Sequence, residues 1–213
     1  MLAGAALSHI KYDQIYASDL DRAFDTASII AKHNKESISA LTDENSNTVK
    51  VHTLLRERCF GVFELRPHKE FRTAAEKSGF VGKDLYHFIP EGGEGLADLK
   101  KRAKDFLDFL FESNDETIDI SGKTHNILVV SHSGLLRQMG VYLLHDCKAT
   151  YAEGFEFPDG FNSENYLDKA WKNTAKSTFQ IEVDTDNKIL SVQCTQYACS
   201  KHLESVAINK CND

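Results

Sequence analysis

The sequence predicts an α/β protein, and three observations carry the prediction. Strand-like and helix-like segments alternate along the chain instead of clustering by type. Ile127-Leu128-Val129-Val130 is an unbroken apolar run of strand length, suited to a strand buried on both faces. Residues 94–112 carry the clearest helical pattern: Leu96, Leu99, Ala103, Phe106, Leu107 and Leu110 share one face, and lysines occupy the other. With 213 residues, 41% of them hydrophobic, the chain has material for one domain with a substantial core.

Taken in order, Gln14-Ile15-Tyr16-Ala17 reads as a short strand. Residues 19–33 read as a helix with Ser18 as its N-cap, because Leu20, Ala23, Phe24, Ala27, Ile30 and Ala31 recur at helical spacing. Residues 36–47 are polar and read as a loop. Val49 and Val51 alternate with polar neighbours as in a short strand, and residues 67–78 fit a short amphipathic helix. Pro90-Glu91-Gly92-Gly93 is a turn that opens the long helix. Residues 114–125 are again a polar loop. After the strand at 127–130 comes Ser131-His132-Ser133-Gly134, then an apolar helix over 135–144. Residues 147–172 are irregular and aromatic-rich, an insert or lid. The segments 177–183 and 189–194 flank Asp184-Thr185-Asp186-Asn187-Lys188 and read as a β-hairpin.

Composition narrows the function. A net charge of -7 with no strongly basic stretch argues against a nucleic-acid partner, while leaving room for a few arginines that hold an anionic small molecule. No apolar run approaches a membrane span. The start of the chain has no basic region ahead of its short apolar stretch and no clear cleavage site, so it does not read as a signal peptide. Five cysteines, an odd number at irregular spacing, fit free thiols in a reducing compartment, and the expected location is cytoplasmic. Cys194, Cys199, His202 and Cys211 lie loosely together, but their spacing matches no common zinc pattern and Cys194 also fits a strand face, so no metal site is expected.

Three units carry candidate chemistry. The apolar strand ending at Ser131-His132-Ser133-Gly134 before a helix is the strongest. Ligands of open α/β sheets sit at strand carboxyl ends, and a helix start offers free N–H groups and a positive dipole end to a phosphate. His132 is either a donor to a phosphoryl oxygen or a capping or core histidine. In Tyr16-Ala17-Ser18-Asp19-Leu20-Asp21-Arg22-Ala23, Arg22 falls in a first helical turn, where a cation opposes the dipole. Its planar fork suits phosphate, and the other reading is a surface ion pair with Asp25 or another acid. In Leu55-Arg56-Glu57-Arg58-Cys59-Phe60-Gly61, Glu57 stands between two arginines just after a predicted strand. It is either a general acid with a raised pKa or part of an exposed ion-pair network.

Together these units resemble the histidine phosphatase superfamily, also called phosphoglycerate-mutase-like. Its Ser-Asp-Leu-x-Arg-Ala-x-x-Thr-Ala pattern appears as Ser18-Asp19-Leu20-Asp21-Arg22-Ala23-Phe24-Asp25-Thr26-Ala27, and its Leu-x-Glu-x-x-x-Gly pattern begins at Leu55. Gly92-Gly93-Glu94 is similar to its Gly-Gly-Glu turn, with Gly95 in place of the usual Ser or Thr. Val129-Val130-Ser131-His132-Ser133-Gly134 is similar to its second-histidine motif. Within the superfamily, Leu55-Arg56-Glu57-Arg58 with Phe60-Gly61-Val62, and the tail Val192-Gln193-Cys194-Thr195 leading to His202-Leu203, resemble the TIGAR-type fructose-2,6-bisphosphatases.

The resemblance implies a three-layer α/β/α sandwich with a mostly parallel central sheet. It implies a phosphatase acting on a phosphorylated sugar or glycerate, fructose 2,6-bisphosphate being favoured, in control of glycolysis. Arg22 and His132 would clamp the phosphoryl oxygens, Ser133 and the N–H groups after His132 would complete the cradle, and Glu57 would protonate the leaving oxygen and then activate water. Neither a metal nor an organic cofactor is called for. One departure stands out. The family's nucleophile is the histidine of an Arg-His-Gly motif closing its first strand, and no Arg-His-Gly occurs in these 213 residues. Met1 to Lys11 resembles the end of the family's first helix, so the expectation is one domain over 1–213, amino-terminally truncated and missing its first strand. His9, His33, His52, His68, His87, His125, His145 and His202 all lack the strand-end context to replace the nucleophile. The chain is then either an impaired form of a phosphatase or a non-catalytic phosphate-binding or interaction protein.

Overall fold

The computed structural model describes residues 2–34, 49–111, 124–155, 157 and 171–203. The polar segment 36–47, most of 114–125, most of the aromatic segment 147–172, and Cys211 lie outside them. No helix among the described residues is long and apolar enough to cross a membrane.

A short helix α1 (Leu2–Leu7) leads into β1 (Gln14–Ala17) and α2 (Asp21–His33). Then follow β2 (Lys50–Val51), α3 (His68–Lys77) and α4 (Leu96–Phe111). β3 (Ile127–Val130) runs into α5 (Ser133–Val141), β4 (Thr150–Tyr151), β5 (Lys176–Val183) and β6 (Ile189–Cys199). The parallel sheet has the order β2-β1-β3. Ala17 is in register with both Val51 and Val130, so the three strands end side by side. A second sheet has the order β4-β6-β5, with β4 parallel and β5 antiparallel to the long β6.

Side chains leave the parallel sheet alternately toward two cores, as strand geometry requires. Ile15 and Ala17, with Leu128 and Val130 beside them, meet Leu7, Ala27, Ile30 and Ala31 of α1 and α2. Tyr16, with Ile127 and Val129, meets Leu99, Ala103, Phe106 and Leu110 of α4 and Leu135 and Met139 of α5. Helices thus cover both faces, which is the expected α/β/α layering. The second core extends into the other sheet through Val192, Phe179, Ile181 and Ile189. Packing between α1 and α2 is close enough that a side chain at Gly4 would strike the His33 ring. Asn34, fully buried, donates from its amide to the carbonyls of Leu7 and Ile10.

Several expectations shift in detail. Helix α2 starts at Asp21 and is preceded by Leu20. Ser18 is not its N-cap; its buried hydroxyl accepts from the Leu20 N–H at 3.2 Å and shapes the turn before the helix. The long helix is 96–111: the Glu94 N–H is turned to the Cys59 carbonyl at 2.9 Å, and Gly95 caps the helix, its carbonyl accepting from the Leu99 N–H at 3.2 Å. β4 lies within the segment expected to be irregular. Both faces of β3 are packed, yet all four of its residues stay half-buried. The reason is its edge: among the described residues β3 pairs with β1 alone. The hairpin is as expected, closed by Asp184, whose carboxylate accepts from the N–H groups of Asp186 and Lys188 at 2.9 Å each.

Candidate active site

Because β1, β2 and β3 end in register, the segments that leave them converge, although Arg22 and His132 are 110 residues apart in sequence. Arg22, in the first turn of α2, donates from Nε to His132 Nδ1 at 3.1 Å. Among the described residues it makes no hydrogen bond to Asp25; its Nε is given to the histidine. His132 occupies the N-cap position of α5 without a side-chain capping bond. The residue is 7% exposed, and its Nε2 is buried with no hydrogen-bond partner among the described residues. Since Nδ1 accepts from Arg22, the neutral ring carries its hydrogen on Nε2. Burial, then the charges of Arg22 and Arg102, hold the His132 pKa down to about 4, against a smaller opposing pull from Asp19. The ring is neutral at pH 7.

Glu57 comes from the other side. A short 3-10 turn at Thr53–Leu55 separates it from β2, so it does not follow the strand directly. Its carboxylate accepts from the Arg58 N–H at 2.8 Å and from the Gly134 N–H at the start of α5. A side chain at Gly134 would collide with that carboxylate, which explains a glycine there. Burial raises the Glu57 pKa above the usual carboxyl value; the Arg58 N–H, the Arg22 charge, the Gly134 N–H and the Arg102 charge oppose it. The arrangement is a half-buried acid and a buried neutral histidine, with the charges of Arg22 and Arg102 acting on both.

The flanking arginines do not form the exposed network around Glu57 that was the other reading. Arg56 binds Asp19 through two nitrogens, at 2.9 and 2.6 Å, on the surface. Arg58 is 5% exposed and donates to the carbonyls of Glu94, Tyr86 and Phe88, with its guanidinium over the rings of Phe60 and Phe71. Gly61 has φ +54 and backs onto the 91–93 turn, where a side chain would meet backbone atoms. This close approach ties the acid segment to the Gly-Gly-Glu turn.

Ser133 sits at the first turn of α5 as expected, and its hydroxyl accepts from the Trp171 N–H at 3.2 Å. Ser131 donates to the Leu55 carbonyl at 2.7 Å, linking the end of β3 to the acid segment. Two residues absent from the sequence-derived site belong beside it. Glu94 was visible only as part of a turn. Arg102, on α4, lies off the lysine face and next to the apolar stripe. A lone arginine flanking Leu99, Ala103 and Phe106, eight residues after an acid, was the available signal. Cys194 is fully buried in β6, in keeping with the strand-face reading.

Three comparisons with known proteins bear on this site. Residues 1–160 match the histidine phosphatase superfamily, branch 1. Fructose-2,6-bisphosphatase TIGAR of Bos taurus is 28% identical over 242 residues, spanning 96% of this chain and 83% of its own length. The protein of the same name from Mus musculus is 26% identical over 245 residues, with the same shares. Among solved structures, a mycobacterial glucosyl-3-phosphoglycerate phosphatase superposes with a TM-score of 0.64 at 20% identity, over 93% of this chain and 83% of that one, a likeness of fold.

Proposed function

Because the chain belongs to the histidine phosphatase superfamily, we propose that the site where Arg22, Glu57, His132 and the start of α5 converge handles the phosphoryl group of a phosphorylated sugar. The observation that carries this reading is the buried Nε2 of His132: a hydrogen-bond donor with no acceptor among the described residues, on a ring held neutral, next to an arginine and a helix N-terminus. A buried donor without a partner costs free energy on the order of 1–3 kcal/mol, which a phosphoryl oxygen would recover. In this reading Arg22 and His132 grip the phosphoryl oxygens and stabilise charge in the transition state. Glu57, its pKa raised by burial, protonates the leaving oxygen and then activates water. Fructose 2,6-bisphosphate is the first substrate to try, on the strength of the TIGAR relatives, and control of glycolysis is the role that would follow.

The attacking group is the point on which two readings divide. Phosphoryl transfer by this family passes through a phosphohistidine in Arg-His-Gly, and these 213 residues contain no such motif. The first reading is a phosphatase whose nucleophile lies outside these residues. The second is a non-catalytic phosphate binder; it is favoured by the engagement of His132 by Arg22 through Nδ1, while His52, which contrary to expectation does follow a strand end, that of β2, accepts from the Leu54 N–H through Nδ1 and packs its ring on Phe106 and Phe109. The test is an assay against a panel of phosphosugars, with phosphoenzyme trapping, on this chain and on a form extended by an Arg-His-Gly strand. Binding without phosphoenzyme in the first, and turnover in the second, supports the phosphatase. An extended form that binds phosphate and never turns over supports the binder. Robust turnover by the 213 residues, with phosphate trapped on one of their nine histidines, overturns both.

A further inference from the structure

Glu57 reaches the start of α5 because residues 54–59 follow one fixed path, and an ion pair outside that segment makes most of the side-chain bonds to it, beside the one from Ser131. Arg102 spends all five of its guanidinium N–H donors on this task. Nη1 donates to the carbonyls of Leu54 and Arg56, both at 2.8 Å. Nη2 donates to the Glu57 carbonyl at 3.2 Å and to Glu94 Oε2 at 2.8 Å, and Nε donates to Glu94 Oε1 at 2.7 Å. Glu94 Oε2 also accepts from the Cys59 N–H at 2.8 Å. The pair therefore grips the backbone on both sides of Glu57, at 54, 56 and 57 through Arg102 and at 59 through Glu94. The ion pair is mostly buried, with side chains 17% and 22% exposed.

We propose that Glu94 and Arg102 form the positioning unit of the site, setting the Glu57 carboxyl over the N-terminus of α5 without touching substrate themselves. Naming Glu57 as the proton donor rests on the function proposed above; the placement of its carboxyl does not. Geometry supports a positioning role over a general staple. Each bond ends on the backbone of the acid segment or within the pair, and the neighbouring lysines of α4 do something else: Lys101 and Lys104 pair with Asp105 and Asp108 one turn on. The charge of Arg102 also acts on both reacting groups, lowering the pKa of His132 and opposing the burial that raises Glu57. The groups facing Glu57 are thus Arg22 from α2, Arg102 from α4, and the Arg58 and Gly134 N–H groups.

The test uses the isotopically labelled 213-residue chain. In the wild type, the Gly134 amide resonance follows ionisation of the Glu57 carboxyl, because the two are bonded. Arg102→Lys keeps the charge and loses the fork; we expect it to cut the Gly134 response by more than half while the His132 ring titrates as before. Arg102→Met removes both, so the Gly134 response is lost and the His132 midpoint rises. Glu94→Gln, close to isosteric, gives an intermediate loss and carries the test where Arg102→Met does not fold. A folded Arg102→Lys chain that keeps the full Gly134 response overturns the proposal. Titration with inorganic phosphate separates this inference from the one it rests on. If phosphate fails to bind the wild type while Gly134 still loses its response in Arg102→Lys, the positioning unit stands and the phosphate reading falls.

Discussion

The two halves of the site are built to different standards. The acid half is fully bonded: the 54–59 segment is gripped by Arg102 and Glu94, backed by the buried Arg58, and pressed against the 91–93 turn. The histidine half is open. Among the described residues His132 has one side-chain hydrogen bond, from Arg22, and a buried nitrogen without a partner, while β3 beneath it pairs along one edge. Buried polar groups in finished structures are nearly always satisfied. A site with one satisfied half and one unsatisfied half therefore shows where a ligand's oxygens have the most to gain. It also shows that the protein supplies the placement of the acid in advance, independently of what binds.

The largest test of that contrast adds chemistry to the open half. A form of the protein carrying an Arg-His-Gly strand is expected to hydrolyse phosphosugars and to yield a trappable phosphohistidine. The 213 residues alone should bind phosphate with no phosphoenzyme. In the extended form His132→Ala should lower kcat by about 10²–10³-fold, the usual loss when one preorganised donor to a transition-state oxygen is removed. The same form should melt higher, since an added strand would pair the edge of β3 that no described strand covers. Equal melting temperatures for the two forms would mean that the edge of β3 is not an open pairing site.

Next in size is the pH dependence of stability. The His132 pKa stands at about 4 in the folded chain against 6.5 ordinarily. Between those values the unfolded chain takes up a proton that the folded chain refuses, so stability falls as pH drops from 6.5 toward 4, by up to about 3 kcal/mol. Glu57 acts in the opposite sense: its folded pKa is raised, so its contribution weakens as pH rises above 4.5. Subtracting the stability curve of His132→Gln from that of the wild type isolates the histidine. A difference that stays flat between pH 4 and 6.5 would show that the ring is not held neutral.

What was legible in the sequence divides along the same line. The long helix follows from its periodicity, β3 from its unbroken apolar run and the hairpin from its turn, because the side chains that define them face a core and little else competes. The three candidate residues were legible one at a time as strand-end features, and the parallel register then brings them together. Long-range bonds were not legible. Ser18 looks like a cap and is instead buried against the Leu20 amide. Arg58 looks like one arm of a surface ion pair and is instead buried among three carbonyls from distant turns. Arg102 carries only a faint local mark, its place beside the apolar stripe, because its partners lie 8 to 48 residues away. Two-residue β4 is too short for a period to appear at all.

A smaller effect is expected at Arg22. Its charge-assisted hydrogen bonds to a phosphoryl oxygen are worth about 1.5–3 kcal/mol, so Arg22→Ala should weaken inorganic phosphate binding by roughly 10–150-fold. The same substitution removes one of the charges that hold His132 neutral, so the ring should titrate at higher pH. Calorimetry and ring-proton shifts read the two effects separately. Unchanged phosphate affinity together with a shifted ring would restrict Arg22 to a partner of His132.

The smallest effect distinguishes the acid from the grip. In the free chain the Glu57 carboxylate takes the Arg58 and Gly134 N–H groups, and the latter is one of the donors an incoming phosphate would use at the start of α5. An ionised Glu57 is thus a resident anion that a phosphate must displace or repel. Glu57→Gln removes the charge and keeps the volume. It should therefore bind inorganic phosphate more tightly, by a few-fold, since one charge at several ångströms across a partly solvated site is worth about 1 kcal/mol. The gain should shrink as pH falls through the raised Glu57 pKa, where the wild-type carboxyl loses its charge as well. In a form of the protein that turns over, the same substitution should abolish most of kcat, because the leaving oxygen loses its proton donor. Tighter binding with lost turnover is the signature of a general acid that stands in the anion site. Weaker phosphate binding by Glu57→Gln across the whole pH range would show instead that the carboxylate organises the cradle, and the two halves of the site would have to be read as one.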